Sequence, residues 1–258
     1  ALGPANAPEP VNNADGFRSI NWDAVAPTSP VSDDQLATFP GDFFNTNAFP
    51  RARGALITMD SNMMATFRLS AAPNVSGSAP ELFGEPGEFS VFGAPRLFGM
   101  TGGNMLEVKF MDPVHPSQPA TVDGFGAVFT GNELAGSTFI EFYDQTGLML
   151  HRTEAPVTSG GGLSFAGATF ADSVIAMVRI SSGTVGIDMC GMEMMNSTAD
   201  CVAMDDFIYG EPQPTGPMVD FVDAGSDSAS IVDTVDRFKA ALGPANAPEP
   251  VNNADGFR

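Results

Sequence analysis

From about residue 54 the chain reads as a succession of short runs, each apolar or alternating between apolar and polar, punctuated by Gly and Pro. Leu106, Val108 and Phe110 alternate with Glu107 and Lys109, the two-residue period of a strand with one face buried. Ala55–Met59, Ala65–Ser70, Thr121–Thr130, Ser137–Tyr143, Leu148–Arg152, Leu163–Phe170, Ser173–Ile180 and Val202–Tyr209 complete the series. Asp144-Gln145-Thr146-Gly147 has turn composition and makes a hairpin of the two runs around it. In Ser173–Ile180 the residues Val174, Ala176, Val178 and Ile180 are expected to share one face. No helical period interrupts the series, so the expected fold is all-β: an antiparallel two-sheet β-sandwich of jelly-roll type. With 21 Phe against 2 Tyr, most aromatic rings are core filling and not hydrogen-bonding groups.

A second feature sets the organisation. Residues 1–18, ALGPANAPEPVNNADGFR, recur letter for letter as residues 241–258. Just ahead of the second copy, Ile231, Val235, Phe238 and Leu242 fall on one face at helical spacing, and Ser230 with Asp233 has capping-box spacing. Gly243 and Pro244 end that pattern. The expected layout is a repeated linker segment (1–18), a β-sandwich domain (19–210), an acidic Pro-rich linker (211–229), a short amphipathic linker helix (230–242) and the second copy (241–258). On this reading Ala1–Pro4 is the last turn of an equivalent helix, and the chain is one period of a tandem array or polymer. A scar or numbering artefact is the bland alternative.

Composition narrows the function. Among 258 residues, 31 acidic side chains face 11 basic ones, a net charge of −20. Nucleic acid and anionic membrane surfaces, both of which need clustered Lys and Arg, are poor partners for such a chain. No apolar run reaches the roughly 20 residues of a membrane span, so insertion is not expected. Two His, two Lys and two Cys leave little for catalysis. Gly162-Leu163-Ser164-Phe165-Ala166 lacks the final Gly of a nucleophile elbow, Glu81, Glu85 and Glu88 sit in a loop, and His115 and His151 have no triad or metal spacing. The expectation is a protein that is not an enzyme.

Some residues have sharper readings beside plain ones. Cys190 and Cys201 enclose ten residues and, in an exported protein, read as a disulfide. Met189, Met192, Met194 and Met195 crowd the same loop; soft-metal binding is the sharper reading and packing the plainer one. Asp205 and Asp206 lie in the last long strand, so one carboxylate is expected to point inward and to need an Arg or a metal. Calcium is the candidate cofactor, with Asp188, Asp23 and Asp123 as further ligands, and a salt bridge or solvated acid is the plain reading. No EF-hand loop is present. Trp22 is either an anchor for the incoming chain or a platform for a sugar ring. Asn74 and Asn196 stand in glycosylation sequons.

The segment VDRFKAALGPAN, the SINWD box, DGFGAVFT with STFIEFYD, and the closing VAMDDFIYGEP together resemble a family of uncharacterised secreted bacterial proteins. That family carries a Phe-Arg-x-x-Leu-Gly-x-x-Asn start, an Ile-Asn-Trp-Asp box and a Gly-Phe-Gly-Ala-Val-Phe strand. The resemblance implies export and an extracellular lectin-like β-sandwich, and it brings no catalytic residues. Two functions follow as expectations. The first is an extracellular structural or adhesive repeat protein whose modules join copies of themselves head to tail into a fibre or surface layer, with Ile231, Val235, Phe238 and Leu242 docking near Trp22. The second is a secreted carbohydrate-binding module that holds polysaccharide through Trp22, Tyr143 or Tyr209. A secreted hydrolase with an unrecognised site is the third.

Overall fold

The computed structural model describes residues 2–22, 37–38, 40–59, 66–70, 82–85, 87–93, 96–192 and 198–216. The chain divides into two units, Ala1–Gly216 and Pro217–Arg258, and the description concerns the first. Asp23, the linker beyond Gly216, the expected helix with Ile231, Val235, Phe238 and Leu242, and the second copy of the repeat all lie outside the described residues.

Among the described residues fourteen strands follow in order: β1 Phe17–Ile20, β2 Ala37–Thr38, β3 Ala55–Met59, β4 Thr66–Leu69, β5 Phe98–Thr101, β6 Met105–Phe110, β7 Ala120–Thr121, β8 Gly124–Thr130, β9 Phe139–Tyr143, β10 Met149–Glu154, β11 Leu163–Thr169, β12 Met177–Ser181, β13 Ala203–Gly210 and β14 Gln213–Pro214. One sheet runs β11-β8-β13-β5-β4-β2, with β1 also paired to β13; the other runs β10-β9-β12-β6-β3. All the pairings between strands are antiparallel. The architecture is the antiparallel two-sheet sandwich that the alternation predicts.

The buried positions of the two sheets form one core. Phe125, Phe129, Phe207, Tyr209 and Phe98 come from the first sheet, and Leu106, Val108, Phe110, Ile140, Phe142, Val178 and Ile180 from the second. Contact across the gap is direct: the Phe110 ring lies 5.4 Å from that of Tyr209 and 6.1 Å from that of Phe125. Burying each such side chain is worth roughly 1.5–3 kcal/mol of transfer free energy, which sets strand register through the alternation itself. The hairpin β9–β10 closes as expected, with Asp144 Oδ1 accepting from the backbone N–H groups of Thr146 and Leu148.

Three elements differ from the sequence reading. The run 121–130 splits: Ala120–Thr121 pairs with β14, and only Gly124–Thr130 enters the large sheet. The run 173–180 does not keep one face. Ile175 is buried and bridges Val122, whereas Val174 and Ala176 are half-buried and the strand begins at Met177. An irregular step at Ala176 therefore exchanges the faces.

The third difference is at the edge of the domain. Residues 2–18, expected as a linker, lie on the sandwich, and the paired body reaches past 19–210 on both sides. Phe17–Ile20 pairs with Phe207–Gly210, and Glu211 N–H donates to Gly16 O at 2.9 Å. Gly16 has φ +100, and a Cβ there would meet Pro4 O and the Asn6 side chain, so the doubling-back of this segment requires glycine.

Candidate functional site

The outer face of the five-stranded sheet carries a dense, solvent-facing polar arrangement. Strand alternation puts Leu106, Val108, Ile140, Phe142, Val178 and Ile180 in the core and their neighbours outside. Register then does the rest. Thr58 faces Glu107, Glu107 faces Arg179, Arg179 faces Glu141 and Glu141 faces Arg152, so five residues from five strands form one row. The row above it holds Leu56, Lys109, Met177 and Tyr143, and the row below holds Met105, Ser181, Phe139 and Glu154.

Arg179 is the centre of the row. Its Nη2 lies 2.9 Å from Glu107 Oε1 and its Nη1 3.9 Å from Glu141 Oε2. Nη1 also donates to Tyr143 Oη at 3.4 Å, and Tyr143 Oη donates to Glu141 Oε2 at 2.7 Å. The hydrogen bond to Glu107 raises the Arg179 pKa further above its ordinary value. Burial, with the Glu141 hydrogen bond behind it, pushes the Tyr143 phenol up, so Tyr143 stays neutral and donates. Lys109 Nζ approaches Glu107 Oε2 at 3.3 Å. The Arg152 guanidinium stacks over the Phe139 ring at 3.8 Å and reaches Glu154 at 3.4 Å. These groups meet solvent: the side chains of Arg179, Arg152 and Lys109 are 33%, 40% and 44% exposed.

Of the aromatic residues expected to hold sugar, only Tyr143 lies on this face. Trp22 and Tyr209 are fully buried and cannot stack on a ligand. The Trp22 ring stacks on Phe98 at 4.0 Å, edges Phe207 at 5.1 Å, and donates its Nε1–H to Asp205 O at 2.8 Å. A residue so enclosed is equally unavailable as a contact between modules. Tyr209 donates to Arg53 O at 3.0 Å from inside the core. Phe139, Glu107, Glu141, Arg152 and Arg179 carry no motif in the sequence; they are outward positions of four separate runs, and only the register shows that they meet.

Among the described residues the acidic candidates are not gathered. Asp205 and Asp206 occupy a bulge, where the pairing of β13 with β8 shifts between Met204 and Phe207. Asp205 is fully buried, and its Oδ2 accepts from Phe92 N–H at 2.7 Å. Burial, together with the charge of Asp206, raises its carboxyl to about 6, against the opposing pull of the Phe92 N–H. Asp188 lies in a 3-10 segment, Ile187–Met192, and caps Gly102 N–H at 3.0 Å; Asp123 lies against Gly210. Among the described residues no group of three or more His, Cys, Asp or Glu is placed to hold a metal ion. Cys190 and Cys201 form the expected disulfide, with Cα atoms 5.0 Å apart.

No protein-family model matches the chain, and no curated protein matches it. Solved structures are similar at low level. The xylan-binding CBM22-1 domain of Paenibacillus barcinonensis Xyn10C matches at 10% identity and TM-score 0.29, over 62% of this chain and 87% of that one. TmCBM61, solved with β-1,4-galactotriose, matches at 10% identity and TM-score 0.28, over 61% of this chain and 83% of that one. The CBM22-1-GH10 modules of Clostridium thermocellum Xyn10B, solved with xylohexaose, match at 13% identity and TM-score 0.29, over 72% of this chain and 28% of that one. The functional reading therefore rests on the chain's own residues.

Proposed function

We propose that the protein is an extracellular carbohydrate-binding module whose ligand lies on the outer face of the five-stranded sheet. The observation that carries this reading is the row Thr58–Glu107–Arg179–Glu141–Arg152 in register, with Tyr143 on one side of it and Phe139 on the other. Sugars present two chemistries at once. Their C–H faces pack on aromatic rings, and their adjacent hydroxyls take paired hydrogen bonds from planar guanidinium and carboxylate groups. Mutual pairing holds Arg179, Glu107 and Tyr143 in place before a ligand arrives, which lowers the ordering cost of binding.

Charge favours a neutral glycan. Glu107, Glu141 and Glu154 on the face are matched by Lys109, Arg152 and Arg179, while the chain as a whole carries −20 and repels polyanions. Binding without chemistry fits the pairing of Glu107 and Glu141 to Arg179 and of Glu154 to Arg152. A disulfide is in keeping with an oxidising, extracellular setting.

Affinity electrophoresis and calorimetry against a panel of neutral and acidic polysaccharides test the reading. Binding to at least one neutral glycan is expected, and Tyr143→Ala should weaken it about tenfold or more while leaving the unfolding temperature nearly unchanged. Absence of binding across the panel, or binding indifferent to both Tyr143→Ala and Arg152→Ala, would remove this face as the site.

A further inference from the structure

The repeated segment takes on another meaning once residues 2–18 are seen on the sandwich. Asn6 Nδ2 donates to Glu211 Oε2 at 2.9 Å, Asn13 Nδ2 to Glu211 Oε1 at 3.2 Å, and Arg18 grips the same carboxylate through Nε and Nη2 at 2.8 and 2.6 Å. Leu2 sits over Gly124, where a Cβ would come within 2.7 Å of its Cδ2. Leu242, Asn246, Asn253 and Arg258 are the counterparts of Leu2, Asn6, Asn13 and Arg18 in an identical stretch. A surface that accepts the first copy accepts the second by the same chemistry.

Beside Leu2 the outer face of the seven-stranded sheet forms a shallow apolar groove. Gly126 and Gly167 face each other across β8 and β11, and the ring of Phe165 closes over them so tightly that a Cβ at Gly126 would collide with it. Leu2, Ala168 and Ile208 line the same groove. Phe165 is 54% exposed and Leu163 on the same strand is 39% exposed. The residues that precede Leu242 in sequence have matching chemistry, since Ile231, Val235 and Phe238 recur at helical spacing from it.

We propose that residues 231–258 of one copy occupy this surface on a second copy. Leu242 takes the seat of Leu2, Asn246, Asn253 and Arg258 take Glu211, and the apolar face containing Val235 and Phe238 covers Phe165 and Leu163. The polar contacts exchange like for like, so the cover over Phe165 is what favours the exchange. Each copy both gives a segment and offers a groove, a head-to-tail contact that propagates into a chain of copies. This is independent of the glycan face, which lies on the other sheet.

Sedimentation velocity on the whole 258-residue chain over rising concentration tests it. Wild type should form dimers and longer species. Phe238→Asp and Arg258→Ala alter the segment that is given, and Phe165→Ser alters the surface that receives it; each should weaken association about tenfold or more. Arg18 is the residue paired with Glu211 within the fold, so Arg258→Ala should leave the unfolding temperature of the monomer at the wild-type value. Mixing Phe238→Asp with Phe165→Ser restores one good segment and one good groove, and should yield dimers without longer species. A wild-type chain that stays monomeric throughout overturns the proposal. So do variants that associate as wild type does, or a mixture that fails to recover dimers.

Discussion

Arg18 and Glu211, 193 residues apart in sequence, form a two-pronged ion pair buried at the seam between the first strand and the last long one, with side chains 0% and 1% exposed. The remaining Arg18 donors reach the carbonyl oxygens of Glu9, Val11 and Ala52, and Glu211 also accepts from Asn6 and Asn13. Every strong donor and acceptor in the cluster is used. A buried pair so satisfied is tolerable, whereas removing one member strands the other charge. Glu211→Ala is therefore expected to cost about 3–5 kcal/mol, and Glu211→Gln less because it keeps an acceptor for Asn6 and Arg18. Urea unfolding of the two variants beside wild type checks the order. Equal losses would mean that the carboxylate's charge, and not the acceptor that Gln keeps, is what holds the segment.

Trp22 makes the second prediction. It is fully buried, held at φ 57 where non-glycine residues are uncommon, and it meets Phe98, Phe44 and Phe207 while bonding Asp205 O. Trp22→Ala leaves a cavity and an unbonded carbonyl, for a loss of about 3–5 kcal/mol. Trp22→Phe retains most of the packing and should lose markedly less. If Trp22→Ala unfolded within about 1 kcal/mol of wild type, the ring would be an edge anchor and not part of the core.

The disulfide makes the third. Cys190 and Cys201 are separated by 11 positions, and a closed loop of that size restrains the unfolded chain by about 3 kcal/mol on the entropic account. The pair packs with Phe89, Leu97, Ile187 and Ala203 in a small apolar cluster apart from the main core. A Cys190→Ala/Cys201→Ala protein should stay folded and lose up to that amount in denaturant unfolding. The face proposed for glycan lies on the other sheet, so the binding proposed there should not change.

How much of this was legible in the sequence follows from range of interaction. Alternation along Leu106–Phe110 and the turn at Asp144–Gly147 are local, and both appear where the residues predict them. The bulge at Asp205 and the irregular step at Ala176 are not local, because each is imposed by a neighbouring strand whose identity no single run declares. Trp22 reads as an anchor for the incoming chain because its box precedes the first long strands in sequence. Pairing of Phe17–Ile20 with the end of β13 instead carries it into the middle of the molecule. The face proposed for glycan is half legible: each polar residue can be placed outside its own strand, but the row through Arg179 exists only through the register of five strands.

Asp205 supplies the last prediction, and its sign follows from burial. In the unfolded chain an aspartate titrates near 3.9. In the fold, enclosure and the neighbouring Asp206 raise it to about 6, while the Phe92 N–H pulls the other way. The folded state thus holds the proton more tightly than the unfolded one. The group's contribution is complete below about pH 4 and is lost as pH rises through 6, a fall of about 2–3 kcal/mol. Asp205→Asn keeps an acceptor for Phe92 N–H and cannot ionise, so it should flatten this slope and be the more stable protein at pH 7.5. A cation against Asp205 and Asp206 would offset the same cost by stabilising the charged pair. Unfolding temperatures measured from pH 4 to 8, with calcium or with chelator, separate the two cases. Calcium binding at the pair predicts that added calcium raises the wild-type unfolding temperature at pH 7.5 and leaves Asp205→Asn unmoved. A wild-type profile that slopes between pH 4 and 6 and ignores calcium assigns Asp205 to a buried acid alone.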